Sequence, residues 1–260
     1  MRAMIIWVFI LFTIMPTITI ASTDNDWTRL VDISDDVLEM VKQERYDTAK
    51  KLLDQFSEEF YELDFFERTY TMDELRIMTV THSNALHAIA TSSIPHHIKV
   101  DKAIQFRLVI DAIRSEYNPL WGELEHTVMG KLGNVMSSYE QKQSNEYSAH
   151  LTEFFRLYEM IHPSLMISVD PTIIQTLDSH ISWLDKVNAE AVSSVEAGHY
   201  LALVDSELQS IFDGVEEDEA DPSLYWVIIT TGSIIIATLT YVGWKKYKAT
   251  RQRERSRQKN

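Results

Sequence analysis

Three Glu-x-x-His pairs are the part of this sequence whose residue types and spacing could bind a metal ion. The pairs are Glu123/His126, Glu159/His162 and Glu196/His199. Side chains three residues apart lie on one face of a helix, and two such pairs with two further Glu form the di-iron sites of four-helix bundles. A metal-dependent enzyme is therefore one interpretation of the sequence.

The direction of these pairs argues against a metal centre. At about 100° per residue, Glu123 and His126 lie nearly opposite the apolar stripe that contains Trp121. Ligands in a helical bundle must point to its interior. The sequence also lacks a nucleophile elbow, a phosphate-binding glycine loop and a His-Glu-x-x-His motif. We therefore predict no catalytic residues, no metal and no cofactor, and a protein that is not an enzyme.

A charge pair within an apolar segment is the second candidate. The segment from Ala103 to Ile113 is apolar on nearly all sides, which predicts a central helix, and Arg107 and Asp111 stand four residues apart in it. Such a pair either fixes how the helix packs or, with Trp121 after it, marks a polar groove. We favour the structural role, in which removal of one partner leaves an uncompensated charge.

The elements that must position these residues are helices. From Asp24 to Gly214 apolar residues recur at steps of three and four, the period of an amphipathic helix. We predict an all-α domain of about seven or eight helices, arranged as a bundle or as stacked α-hairpins.

Local signals predict several helix boundaries. Thr71 and Glu74 have the spacing of a capping box. Asn118-Pro119 and Asp170-Pro171 each place a capping residue before a proline, which is typical of a helix start. A helix end is predicted at Ile94-Pro95 and at His162-Pro163.

One uncharged run is long enough to span a membrane. It extends from Leu224 to Trp244, and its 21 residues would make a helix of about 31 Å, close to the roughly 30 Å hydrocarbon core of a bilayer. Aromatic residues expected at the membrane interfaces are Tyr225, Trp226, Tyr241 and Trp244. Basic residues expected to face anionic lipid are Lys245, Lys246, Lys248 and Arg251. We predict a single transmembrane helix at 224–244 and a basic cytoplasmic tail at 245–260.

Charge is divided unequally between the tail and the rest of the chain. Residues 22–223 carry 38 Asp/Glu against 15 Lys/Arg, a net charge of −23, whereas the tail carries eight Lys/Arg against one Glu, a net charge of +7. Basic residues beside a span stay in the cytoplasm, so we predict that the acidic part lies outside it. A domain of this charge is not expected to bind nucleic acid.

The N-terminal residues predict export. Arg2 precedes an apolar stretch from Met4 to Met15, and residues 1–21 fit a signal peptide cleaved after Ala21, with an uncleaved anchor as the alternative. The helical domain would then extend over 22–214, with an acidic stalk at 215–223. The chain has no cysteine, which indicates an envelope that uses few disulfides, such as a Gram-positive one.

Short motifs near the predicted central helix carry a family resemblance. The segment Phe106-Arg107-Leu108 with Asp111-Ala112, followed by Asn118-Pro119-Leu120-Trp121, resembles the sporulation protein YpjB family of endospore-forming bacilli. Trp27, Leu30, the Tyr46–Ala49–Leu53 stripe and the basic-tailed C-terminal run resemble that family as well. The resemblance implies a membrane-anchored helical protein of spore formation, in the mother-cell or outer forespore membrane, and it implies no catalytic residues.

These observations predict a membrane-anchored, non-enzymatic protein that contributes to endospore formation. Its helical domain would bind or scaffold an envelope or sporulation protein, and its tail would contact anionic lipid. A single-pass sensor that couples an external signal to the tail is the first alternative. A metal-dependent envelope enzyme, based on the Glu-x-x-His pairs, is the second.

Overall fold

The computed structural model describes residues 23–62, 70–115, 118–187, 194–218 and 222–257, with side chains described in these ranges from Trp27 to Val215 and from Ile228 to Tyr247. The described residues form nine α-helices and no strand, which confirms the all-α prediction. The helices are α1 (Thr23–Lys42), α2 (Tyr46–Glu62), α3 (Met72–Ala90), α4 (His96–Arg114), α5 (Glu125–Glu140), α6 (Ser144–Ser168), α7 (Pro171–Val187), α8 (Val195–Asp218) and α9 (Pro222–Arg257). The predicted signal peptide, 1–21, lies outside the described residues.

Helices α1 to α8 form two adjoining four-helix bundles. In the first bundle α1 and α3 each contact both α2 and α4, and in the second α5 and α7 each contact both α6 and α8. Within each bundle, consecutive helices contact each other and run antiparallel. The two bundles meet where α6 packs against α4 and, less extensively, against α3.

Helix α4 belongs to the cores of both bundles. Phe106, Val109 and Ile110 are buried in the first core, whereas Leu108 and Ala112 are buried in the second. A helix that is apolar all round can bury every face only in such a central position, so the prediction of a central helix is confirmed.

The antiparallel order brings the two chain ends of the body to one side. We call the end at which α8 finishes and the chain continues to α9 the proximal end, and the opposite end the distal end. At the proximal end Trp27, near the start of α1, stacks on Tyr70 just before α3, with ring centroids 5.5 Å apart. At the distal end the hydroxyl of Tyr46, where α2 begins, lies 2.9 Å from Nδ1 of His96, where α4 begins.

Pro163 lies inside α6, so the predicted helix end at His162-Pro163 is wrong. A proline has no N–H, and the carbonyl of Glu159, four residues earlier, therefore lacks its helical donor. Nε2 of Gln105 on α4 donates to this carbonyl at 2.6 Å, and the Gln105 side chain is buried. A hydrogen bond between helices thus replaces the one that the proline removes, and α6 continues to Ser168.

Two predicted helix starts are confirmed. Thr71 Oγ1 accepts the N–H of Glu74, whose carboxylate in turn accepts the N–H of Thr71. Asp170 precedes α7, which begins at Pro171, and its carboxylate accepts the N–H of Thr172 at 2.7 Å.

Pro119 does not start an α-helix, which corrects the prediction from Asn118-Pro119. It begins a turn that leads through a 3₁₀ turn, Gly122–Leu124, and α5 starts only at Glu125. The cause is a tertiary contact, because the Asp111 carboxylate holds the N–H of Leu120 at 2.6 Å and fixes the turn against α4.

Helix α9 differs from the helices of the body. Its segment Ile228–Tyr247 is the one stretch of the described residues that is long and apolar enough to cross a membrane, and it overlaps the predicted span. Its large apolar side chains are exposed; Ile236, for example, is 67% exposed. The helix continues into the basic segment as far as Arg257. In the predicted stalk, Val215–Asp218 continue α8, and residues 219–221 lie outside the described residues.

Candidate functional site

The predicted charge pair forms, and it links three parts of the chain. Arg107 Nη1 lies 3.4 Å from Asp111 Oδ1, and its Nε donates to Asp35 on α1. Asp111 also accepts the N–H of Leu120. Both side chains of the pair are largely buried, so the charges compensate each other away from most solvent. Their contacts hold α1, α4 and the turn before α5 together, which supports the structural interpretation.

Trp121 follows this turn and is almost fully buried. Its indole Nε1 donates to Ser168 Oγ at 3.1 Å, and its ring lies against Phe212 of α8 with centroids 5.6 Å apart. The next residue, Gly122, approaches α8 so closely that an added Cβ would be 3.2 Å from a methyl carbon of Val215. Trp121 thus joins the end of α6 to the end of α8.

A groove opens beside Trp121 at the proximal end, where the two bundles meet. Its cavity volume is about 530 Å³, which lies within the usual range of binding sites. Its walls come from the start of α3, the end of α4, the turn before α5, the junction of α6 with α7, and the end of α8. It is therefore built from both bundles, and either bundle alone would leave it incomplete.

The groove combines apolar walls with two carboxylates. Ile113, Ile173 and Ile211 contribute apolar surface, and Glu74 and Asp170 contribute the acidic groups. Each carboxylate is fixed by the helix cap that it forms. Hydrogen bonds from Thr172 lower the pKa of Asp170, so this carboxylate stays ionised at neutral pH.

The three residues predicted as a charge pair and possible groove thus occupy different positions. Trp121 lines the groove. Asp111 lies behind it and positions the turn through Leu120, whereas Arg107 is one helical turn further away and faces α1. Neither charged residue is among the residues that line the groove.

The Glu-x-x-His pairs do not converge. Glu123, His126, Glu196 and His199 are exposed, as their helical positions predict. Among the described residues, no three His, Asp or Glu side chains are grouped so that they could hold a metal ion.

His162 has a partner that the sequence spacing does not reveal. Its Nε2 lies 3.0 Å from a carboxylate oxygen of Asp178 on α7. The hydroxyl of Tyr158 donates to the same carboxylate at 2.7 Å. Burial and this hydrogen bond raise the pKa of Tyr158, so it remains a neutral donor. A second contact, between His180 and Glu207 at 3.0 Å, joins α7 to α8. These contacts link α7 to α6 on one side and to α8 on the other.

The residues predicted at the membrane lie on α9. Tyr241, Trp244, Lys245 and Lys246 are exposed. Tyr225, Trp226, Lys248 and Arg251 belong to the same helix but lie outside the residues whose side chains are described.

The family of this chain follows from sequence comparison. Residues 27–256 match the family described as Sporulation protein YpjB. The chain belongs to this family. It is also 34% identical over 230 residues to a Bacillus subtilis (strain 168) protein described as Uncharacterized protein YpjB, with 88% of this chain and 87% of the relative covered. No solved structure matches the chain. The family resemblance predicted from the motifs around α4 is confirmed, and the match includes α9 as well as the body.

Proposed function

We propose that this protein contributes to endospore formation as a membrane-anchored, non-enzymatic protein whose helical body binds or scaffolds another envelope protein. Membership of a sporulation protein family supports a role in spore formation. The observation that carries the binding role is the groove at the proximal end, because it is a preformed concave surface built from both bundles.

The proposed anchor is the apolar segment of α9. Exposed apolar side chains along Ile228–Tyr247 have a suitable environment in a bilayer. The charge of −23 before the segment and +7 after it supports an extracytoplasmic body and a cytoplasmic tail. Anchoring in the membrane of the partner raises the effective concentration of the body, so a modest affinity suffices.

The function is tested by deleting the body and keeping the anchor. In endospore-forming cells, a variant that lacks residues 23–214 but keeps the rest should produce as few heat-resistant spores as a complete deletion. Membrane fractionation of the shortened protein is the control, since it must reach the membrane. Normal spore counts with the shortened protein would refute the proposed role of the body.

A sensor is the alternative, and the continuity of α9 favours it. One helix runs from the apolar segment into the basic segment, so a rotation or shift of the span would reach the tail directly. An unrelated single-pass anchor in place of residues 222–260 separates the two functions. A scaffold should keep normal spore counts after this exchange, whereas a sensor should lose them.

A further inference from the structure

The charge of the groove limits what it can bind. Glu74 and Asp170 both line it, and its lining includes no Lys, Arg or His among the described residues. The surrounding chain is also strongly acidic, with a net charge of −23 over residues 22–223. An anionic ligand would meet repulsion, whereas a cation would be attracted from a distance and then held by the carboxylates.

The apolar walls add a second requirement. The groove also has apolar surface, to which Ile113, Ile173 and Ile211 contribute, and a small polar cation would leave that surface uncovered. A ligand with a cationic group between apolar groups would satisfy both surfaces. Lys and Arg side chains flanked by apolar residues have this chemistry.

The position of the groove adds a third requirement. Gly214 and Val215 line the groove, and α8 ends at Asp218, four residues before α9 begins at Pro222. One helical turn and four further residues span at most about 20 Å, so the groove lies close to the start of α9. If α9 spans the membrane, a ligand in the groove lies near the membrane surface.

We propose that the groove binds a segment of a second membrane protein in which a Lys or Arg stands between apolar residues, next to the span of that protein. This inference rests on the proposed function, because it names the chemistry of the partner that the body would bind. The segment enters between the two bundles, its cationic group faces Glu74 and Asp170, and its apolar residues cover the exposed side chain of Ile173 and the apolar surface around it.

Photocross-linking tests this inference in the full-length protein in sporulating cells. A photoreactive phenylalanine derivative replaces Ile173, which lines the groove and is 45% exposed. The same residue in place of Val195, 88% exposed at the distal end of α8, is the positional control. The cross-linked peptide is then sequenced by mass spectrometry.

A groove-filling variant tests whether the cross-link depends on the groove. Gly214→Trp should reduce the cross-link from position 173 at least tenfold, because Gly214 lines the groove and an added Cβ there has no atom of the described residues within 4 Å, so that the indole has room to enter the cavity. Gly130→Trp on α5 is the matched control, since that glycine is equally open and does not line the groove. It should leave the cross-link unchanged.

The inference is supported if the peptide contains Lys or Arg among apolar residues, lies beside a predicted span of another protein, and is lost in Gly214→Trp alone. It is overturned by a cross-link to lipid, to an acidic segment or to a second copy of this chain, by equal capture from position 195, or by no cross-link. If spore counts still fall without the body in any of these cases, the proposed function survives and only the ligand assigned to the groove is wrong.

Discussion

Two glycines of α8 show how differently the two ends of the body are built. At the distal end an added Cβ on Gly198 would be 2.8 Å from the hydroxyl oxygen of Tyr139, whereas at the proximal end an added Cβ on Gly214 would have no atom of the described residues within 4 Å. The two residues have the same type, the same helical conformation and the same helix. They differ only in what the neighbouring helices place against them.

The proximal end of α8 is packed through Ile211 and Phe212, so the difference concerns one face of the helix, which is covered at Gly198 and open at Gly214. At the distal end Tyr139 of α5 fills the space above Gly198 and donates to the carbonyl of Ser194 at 2.7 Å. At the proximal end none of the described side chains lies within 4 Å of a Cβ added at Gly214, which is one of the residues that line the groove. Substitutions at the distal end should therefore change stability, and substitutions in the groove should change binding.

The largest effect is expected at Gly198. Gly198→Leu should lower the free energy of unfolding by about 2–4 kcal/mol, because the Tyr139 ring must move and its hydrogen bond to Ser194 is lost. Chemical denaturation of the full chain in detergent measures this change. Gly214→Leu is the matched control and should leave the stability unchanged or slightly raised. Equal losses for both variants would mean that the two ends do not differ as described.

A smaller loss is expected when the turn behind the groove is released. Asp111→Ala should lower the free energy of unfolding by about 2–3 kcal/mol, because it leaves the N–H of Leu120 without its acceptor and removes one partner of Arg107. Asp111→Asn keeps an acceptor and should lose less. Denaturation gives the stability, and the fluorescence of Trp121 should report a more solvent-accessible indole in the alanine variant. An unchanged stability in the alanine variant would contradict the structural role of this pair.

The contact between the bundles gives a third, smaller effect. Gln105→Leu should cost about 1–2 kcal/mol, because the carbonyl of Glu159 loses its donor while Pro163 prevents a helical replacement. In a Pro163→Ala background the helical N–H returns, and the same substitution should cost much less. A double-mutant cycle measures the coupling. Additive effects would show that Gln105 does not replace the hydrogen bond that the proline removes.

The sequence predicts the faces of these helices but not the space between them. The apolar character of α4 requires a central position, and Phe106 and Leu108 indeed face different cores. The pairing of Arg107 with Asp111 follows from helical spacing, and the structure shows it. Local periodicity and spacing are therefore enough to predict a contact when both partners belong to one helix.

Contacts between distant parts of the chain could not be predicted in this way. Gln105 satisfies Glu159 across 54 residues, and His162 pairs with Asp178 on another helix. Each contact depends on how two helices are rotated and placed relative to each other, which no spacing within one helix encodes. The groove has the same origin, because its lining comes from several separate parts of the chain, among them the open face of α8 at Gly214.

The smallest effect is expected from a buried hydroxyl at the distal end. Tyr147 on α6 is fully buried, and its hydroxyl has no hydrogen-bond partner among the residues that the structure describes. Tyr147→Phe removes a polar group that gains nothing from burial, so at neutral pH it should be neutral or stabilising by up to about 1 kcal/mol. A loss of more than this would mean that the hydroxyl has a partner, such as a bound water.

The pH dependence of the Tyr147→Phe effect tests how tightly the distal end is packed. Burial raises the pKa of Tyr147 to about 12, whereas an exposed tyrosine in the unfolded chain titrates near its ordinary value of 10.0. The unfolded state therefore releases this proton first. The free energy of unfolding of the wild type is unaffected by Tyr147 ionisation below pH 10, and it falls as the pH rises towards 12. Relative to the wild type, Tyr147→Phe should gain roughly a further 1 kcal/mol at pH 11. Denaturation of both proteins between pH 9 and 11 measures this gain. If the difference stays constant, the distal end admits enough solvent around Tyr147 to ionise it freely, and the distal packing is looser than its contacts indicate.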